Sequence, residues 1–378
     1  MLKSKEEKSI IEDISKCYAC GKCTSICPLS QISDFTPRII AENFVLELDK
    51  EEIVDDVWSC LTCASCSTIC PMEVNFPQFI REVRKDFKKR GLGFEEAHFG
   101  IFSNISRLQT SNYVGKPRSE IYKGLKIQKK GDILYWTGCT PFFDLVFDET
   151  YTDISRNTVR ILNYLGIKPV ILDNEKCCGH DLLWNGDIDN FKKLAKHNIK
   201  EIERAGVKTV VTTCAEGYRT LKLDYPDLVG SINFEVISFS EFLESRLKVK
   251  EVNFQYEFPY TVTYQDPCRL GRHMKVYEAP RNLIKSIPGI NFIEMPRNRE
   301  SALCCGVSCW HCNLLTKSIR MDRLKEADET ADILITTCPK CKMHFQCLLN
   351  EKTDDLTKKY DVEVIDLSTF LARALFLI

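Results

Sequence analysis

Two cysteine runs carry the most specific chemistry in this chain: Cys17-x2-Cys20-x2-Cys23-x3-Cys27-Pro28 and Cys60-x2-Cys63-x2-Cys66-x3-Cys70-Pro71. Two-residue gaps let one loop wrap three thiolates around the irons of a single cubane. The fourth cysteine, ahead of proline, reaches the neighbouring cluster in two-cluster proteins. The spacing therefore assigns Cys17, Cys20, Cys23 and Cys70 to one [4Fe–4S] cluster, and Cys60, Cys63, Cys66 and Cys27 to a second. Tetrathiolate zinc also uses Cys-x-x-Cys, but zinc ribbons seldom show two complete runs that each end in Cys-Pro. Two clusters held close together serve as a wire.

A second pattern lies downstream and occurs twice. Asp132-Ile-Leu-Tyr-Trp-Thr-Gly-Cys139 matches Tyr260-Thr-Val-Thr-Tyr-Gln-Asp-Pro-Cys268. Each half then reaches Cys-Cys-Gly, at Cys177-Cys178-Gly179 and Cys304-Cys305-Gly306, and later an apolar stretch ending in Thr-Thr-Cys, at Cys214 and Cys338. The second half holds a full set of five thiols, Cys268, Cys304, Cys305, Cys338 and Cys341. Adjacent cysteines serve one compact site only where the backbone bends sharply, which Gly306 permits. The first half has Cys139, Cys177, Cys178 and Cys214, but Gly217 stands where the fifth thiol belongs. Its four thiolates suit zinc, an altered cluster, or nothing. Cys309-x2-Cys312 reads either as two stray thiols or as an extra metal or redox pair. Cys347, with no partner spacing, reads as a buried thiol.

The elements that must position these groups follow from pattern. Thr36-Pro37 opens a helix, and a second helical stretch is expected over 51–58. In each repeat a strand ends in cysteine, a helix follows (158–165 and 279–287), and a second strand comes next (169–172 and 291–294). Strands alternating with helices predict α/β modules with largely parallel sheets, and ligands sit at the carboxyl ends of such strands. The fold class is thus α+β multidomain: an α-helical domain for two [4Fe–4S] clusters over 1–85, a helical connector over 86–130, and duplicated α/β modules over 131–250 and 251–378.

Composition narrows the class. The chain has 378 residues, 44% hydrophobic and 28% charged, with a net charge of -1, which points away from nucleic acid or an anionic membrane as partner. Met1 to Lys8 lack the apolar core of a signal peptide, and no apolar run approaches the roughly 20 residues that cross a bilayer. Twenty cysteines in a long chain without an export signal are metal and cluster ligands before they are disulfides. No Gly-x-Gly-x-x-Gly turn appears, so the reductant is expected to arrive through a partner.

From Tyr264-Gln-Asp-Pro-Cys268-Arg-Leu-Gly-Arg, through Val276-Tyr-Glu-Ala-Pro-Arg281, to Asn298-Arg-Glu-Ser-Ala-Leu-Cys304-Cys305-Gly306, the chain resembles the CCG-domain family of heterodisulfide reductase catalytic subunits. With the ferredoxin runs, the resemblance covers essentially the whole chain and follows the D-type layout, which a subunit of sulfate-reduction membrane complexes shares. It implies a noncubane [4Fe–4S] cluster on Cys268, Cys304, Cys305, Cys338 and Cys341, where a disulfide is reduced one electron at a time. It also implies anaerobic metabolism, a membrane cytochrome b-type subunit or other electron donor, and a disulfide carried by a small molecule or a sulfur-carrier protein. The location expected is cytoplasmic, at the inner membrane face through that partner. Disulfide reduction consumes protons, and His273, just after Cys268, is the candidate donor, with His180 and His344 behind it. Arg269 and Lys275 could offset cluster charge. The alternative is an electron-conduit subunit of a flavin dehydrogenase for glycolate, lactate or glycerol 3-phosphate, delivering electrons to quinone. A zinc or scaffold protein would require every cysteine to be structural, which the two ferredoxin runs oppose.

Overall fold

The computed structural model describes residues 12–46, 48, 53–111, 117–147, 151–249, 251–351 and 360–378. Met1 to Lys8 and the start of the helix expected over 51–58 lie outside them.

The N-terminal region is helical. Pro37–Val45 begins at the expected Thr36-Pro37, and the helix expected before the second cysteine run occupies Val54–Ser59. Helix Phe76–Lys89, capped by the Asn75 side chain, runs across the boundary expected at residue 85. It buries Phe79, Ile80, Val83 and Phe87 against the helices that carry the cysteines.

The duplication is a duplication of structure. In the first repeat, β1 (Ile133–Trp136), β2 (Thr209–Thr212) and β3 (Glu235–Ser238) form a parallel sheet in that order. In the second, β4 (Thr261–Gln265), β5 (Asn291–Phe292), β6 (Ile333–Thr336) and β7 (Glu363–Asp366) form a parallel sheet ordered β5-β4-β6-β7. The strand expected over 169–172 is reduced to a parallel bridge from Val170 to Leu134. It stands beside β1 as β5 stands beside β4, so the topologies match although the pairing is too short for a strand. The expected helices are observed as Thr152–Tyr164 and Glu278–Lys285.

Strand side chains alternate between faces, and here the two faces have different owners. Tyr135, Val211, Val262, Tyr264, Ile335 and Ile365 enter one core common to both repeats. Leu134, Trp136, Val210, Leu334 and Val364 point the other way, into a core continuous with Phe79 and Trp58 of the N-terminal region. The repeats also exchange helices. Leu367–Ala374, which closes the second repeat, packs on Thr152–Tyr164 of the first, and Phe239–Lys248 packs on Glu278–Lys285. Ser368 Oγ donates to Ile154 O at 3.1 Å, and Asn282 Nδ2 to Glu244 Oε1 at 2.6 Å, across these two seams. The internal symmetry reaches single hydrogen bonds: Tyr135 meets Thr213 Oγ1 at 3.0 Å, and its counterpart Tyr264 meets Thr337 Oγ1 at 2.6 Å. These bonds anchor the threonines that immediately precede Cys214 and Cys338.

Candidate iron–sulfur and thiol site

The two ferredoxin-type runs adopt the same backbone. Ala19 and Gly21 in the first, and Thr62 and Ala64 in the second, are left-handed, with φ of 61°, 79°, 47° and 64°. Alternating hands curl each Cys-x2-Cys-x2-Cys segment back on itself, and short helices Lys22–Ile26 and Ser65–Thr68 follow and pack together. Cys27 lies beside Cys60 and Cys63, and Cys66 is close to Cys27, Cys60 and Cys63. Tyr18 bonds Cys20 and lies near Cys70, while Cys23 lies near Cys17 and Cys20. Burial pushes Cys60 up to about 12 and Cys27 up to about 11. Thiolates there require a cation that repays desolvation, as the irons of a cluster do. Cys20 is exposed, so the first group faces solvent and the second faces the rest of the protein.

What the second group faces is a set of buried arginines. Arg84 donates to Cys60 O at 2.6 Å and to Val57 O and Trp58 O, and reaches Trp184 O in the first repeat at 3.3 Å. Arg272 donates to Cys63 O at 2.6 Å and to Ala302 O, two residues before Cys304, also at 2.6 Å. Arg269 donates to Thr62 and to His180 Nε2, and lies over the Trp184 ring at 4.0 Å. Three guanidinium groups thus join the loop of Cys60 and Cys63 to both repeats, and Cys63 itself lies near Cys304.

Both Cys-Cys-Gly turns need glycine. Gly179 has φ 84° and Gly306 φ 77°; a Cβ would meet Phe191 Cδ2 at 2.8 Å in the first and Thr316 O at 2.4 Å in the second. In the second repeat the thiols form one chain of contacts: Cys268 with Cys304, Cys304 with Cys305, Cys305 with Cys341, and Cys341 with Cys338. Hydrogen bonds from Cys304 and Cys341 hold the Cys305 thiol below its ordinary range despite burial. In the first repeat Cys139, Cys177 and Cys178 lie together. Glu175 ties their two loops by accepting from the Thr137 and Gly138 amides at 3.1 and 2.7 Å. Cys214 leans across the seam and bonds Cys338. The thiols of the two repeats are therefore contiguous, which their separation in sequence does not announce.

Between the repeats lies a buried polar network. Lys340, set between Cys338 and Cys341, donates to Asp181 at 2.7 Å and Glu216 at 3.0 Å. Burial disfavours its charge, but Asp181 and Glu216 outweigh this and hold the ammonium well above its ordinary range. Burial pushes Glu216 up to about 8 and His180 down to about 4. Cys309 joins here, with His180 and Asp181 donor atoms within 4.8 Å of one another. A narrow cleft at the carboxyl ends of β2, β3, β6 and β7 is bordered by Cys214, Ser240, Thr337 and Asp366.

Three sequence expectations meet a different geometry. His273 is clamped between Arg269 (2.8 Å), Arg219 (3.1 Å) and the Thr62 carbonyl (3.0 Å). Burial and these arginines push its pKa well below the ordinary value, and its ring serves the seam between regions. His344 is the histidine at the thiols, with Nδ1 3.2 Å from Cys305 Sγ. Its signal was present: Cys341 and His344 stand three residues apart on helix Pro339–Leu349, neighbours on its surface, with Cys338 as the N-cap. Cys309 and Cys312 also part company. Left-handed Cys309 and Trp310 turn the chain between them, and Cys312 is exposed. Cys347, expected as a buried thiol without a partner, is half-buried and shares Arg320 with Cys312.

Residues 13–74 match the family profile of the 4Fe-4S dicluster domain, and residues 133–222 and 262–346 each match the cysteine-rich CCG domain. The chain is 32% identical to the D-type subunit of dihydromethanophenazine:CoB–CoM heterodisulfide reductase from Methanosarcina acetivorans, over 96% of this chain and 94% of that protein. This chain belongs to the CCG-domain iron–sulfur oxidoreductases of the D-type heterodisulfide reductase family. It is also 30% identical to the B-type subunit of fumarate reductase (CoM/CoB) from Methanothermobacter marburgensis, over 78% of this chain and 58% of that one. With EtfAB:quinone oxidoreductase of Syntrophomonas wolfei it shares 28%, over 62% and 34%. As a CCG-domain oxidoreductase it carries iron–sulfur clusters and has a redox role. Among the described residues no helix is long and apolar enough to cross a membrane.

Proposed function

We infer that this chain is the subunit of a heterodisulfide-reductase-like enzyme in which electrons pass through two [4Fe–4S] clusters to a noncubane [4Fe–4S] cluster that reduces, or forms, a disulfide. One observation carries the reading: Arg272 ties the carbonyl of Cys63 to the loop of Cys304, so a ferredoxin-type site abuts the complete CCG thiol set. The ligand sets we assign are Cys17, Cys20, Cys23 and Cys70; Cys60, Cys63, Cys66 and Cys27; and Cys268, Cys304, Cys305, Cys338 and Cys341. When bound, the clusters supply one-electron transfer. The chain's own groups do the rest. Arg84, Arg269 and Arg272 offset accumulating negative charge in a water-poor seam, and His344 holds a proton at Cys305 Sγ. The exposed Cys20 side is the entry for electrons from a membrane cytochrome b-type subunit or another donor, which would hold the chain at the cytoplasmic membrane face. Cys139, Cys177, Cys178 and Cys214 form a secondary site for zinc or an altered cluster. The disulfide is that of a small molecule or a sulfur-carrier protein.

The test is electron paramagnetic resonance of anaerobic protein, oxidised with and without a dithiol bearing magnetic sulfur. A cluster signal broadened by the label supports the reading. Ordinary reduced-ferredoxin signals that ignore every dithiol sink it. The second reading, a conduit from a flavin dehydrogenase to quinone, draws on the partial likeness to EtfAB:quinone oxidoreductase and would then take its place.

A further inference from the structure

A second cleft opens on the far side of the complete CCG set, and the mechanism above does not use it. It is open to solvent and is lined by His98, Phe147, Trp310, Arg320, His344 and the two thiols Cys312 and Cys347. Its floor is apolar and rigid: Trp310 stacks on Phe102 with centroids 4.0 Å apart and donates to Asp181 at 2.8 Å. Its polar groups are few and oddly partnered. Arg320 is only 4% exposed, yet it pairs with no carboxylate among the described residues. It donates to Cys312 Sγ at 3.0 Å and to His344 O at 3.2 Å, and also bonds Cys347. Arg320 Nε and His344 Nε2 are buried and meet no partner among the described residues.

A buried guanidinium that, among the described residues, faces only thiols and a carbonyl is costly unless an anion completes it. Its planar fork suits a carboxylate, sulfonate or phosphate. His344 connects this cleft to chemistry, because its other ring nitrogen lies 3.2 Å from Cys305 Sγ. The cleft beside Cys214 offers no such cation: Ser238 bonds Ser240, and the acidic Asp366 borders it.

We propose that this cleft seats the anionic group of a small organosulfur substrate, with Arg320 holding the acid and the sulfur directed past His344 toward Cys305. The proposal deepens the disulfide reading and rests on it for the chemistry, but binding is separable from turnover. The experiment compares three probes on anaerobic holoprotein with reduced viologen as donor: dithiodipropionate (anionic), bis(hydroxyethyl) disulfide (neutral) and cystamine (cationic). In parallel, mercaptopropionate binding is titrated by calorimetry. The expected result is at least a roughly tenfold preference in kcat/KM for dithiodipropionate, as a charge-assisted hydrogen bond supports. Arg320→Gln should erase that preference and weaken mercaptopropionate binding about tenfold, and Arg320→Lys should restore part of both. Equal turnover of the three disulfides by wild-type protein overturns the proposal while the disulfide reading stands, and needs no variant to fold. Mercaptopropionate binding lost in Arg320→Gln, with no disulfide turned over, keeps the anion seat and removes the disulfide reading. Absence of mercaptopropionate binding to wild-type protein overturns the proposal.

Discussion

Arg269 and Thr62 are joined by two hydrogen bonds of 2.8 Å, from Nη1 to the threonine carbonyl and from Nη2 to its hydroxyl. Thr62 stands between two cysteines of a ferredoxin-type run, and Arg269 follows the first cysteine of the complete CCG set. Arg269 Nε extends the bridge to His180 of the first repeat at 3.1 Å. One buried side chain thus fixes three regions in register. Replacing it by Met removes charged hydrogen bonds and strands their acceptors, at a cost of about 3 kcal/mol. The urea midpoint should fall, and electron transfer from the ferredoxin clusters should slow in the same variant, while Arg269→Lys should recover part of each.

The crossed ligand sets make a paired prediction. Cys70→Ser should remove the cluster on the solvent-facing side and leave the one beside Arg84 and Arg272. Cys27→Ser should do the reverse. Iron content should drop by about one cluster in each case, and the magnetic coupling between clusters should vanish in both. A single variant that loses neither signal contradicts the crossed assignment.

Gly306 tolerates no side chain. Left-handed backbone costs an ordinary residue roughly 1–2 kcal/mol, and a Cβ 2.4 Å from Thr316 O adds an overpacking cost of about 1–3 kcal/mol. Gly306→Ala should therefore destabilise the protein by about 3 kcal/mol and abolish the dithiol-sensitive cluster signal, with the two ferredoxin signals retained.

The histidines should separate. His344→Ala is expected to lower disulfide turnover by about 10²-fold, within the range of lost acid–base assistance, without changing the reduced ferredoxin spectra. His273→Ala should leave turnover within about threefold and instead cost about 1–2 kcal/mol of stability through its lost hydrogen bonds. Steady-state kinetics and melting curves on both variants distinguish a group at the thiols from one that clamps a seam.

Asp366, buried at the end of β7, has its pKa pushed up to about 6 by burial. The folded value exceeds the unfolded one of about 3.9, so the folded state binds the extra proton between them. Stability from this group falls as pH rises from about 4 to about 6 and stays low above it, by up to roughly 3 kcal/mol. Asp366→Asn keeps an oxygen for the Ser368 amide, bonded at 2.8 Å, and cannot ionise. Its melting temperature relative to wild type should rise between pH 5 and pH 7.

Some of this protein was legible in its sequence because the chemistry is local. A cubane needs thiols a few residues apart on one curling loop, so the two ferredoxin-type runs and their left-handed positions are set within short stretches. The duplication showed because each repeat ends its strands in cysteine and bends at Cys-Cys-Gly, where Gly179 and Gly306 have no substitute. Tertiary structure decided the rest, since it joins residues that no spacing relates. The exchange of helices Phe239–Lys248 and Leu367–Ala374 between repeats brings Cys214 against Cys338 and closes Lys340 over Asp181 and Glu216. The turn at Cys309 and Trp310 splits a Cys-x2-Cys that reads as a pair, sending Cys309 to His180 and Cys312 to Arg320 and Cys347. His273 and His344 look equally suited when only their distance from a cysteine is known. Packing alone gave one to a ring of arginines and the other to the sulfur of Cys305, because side-chain direction is fixed by the neighbours that folding assembles.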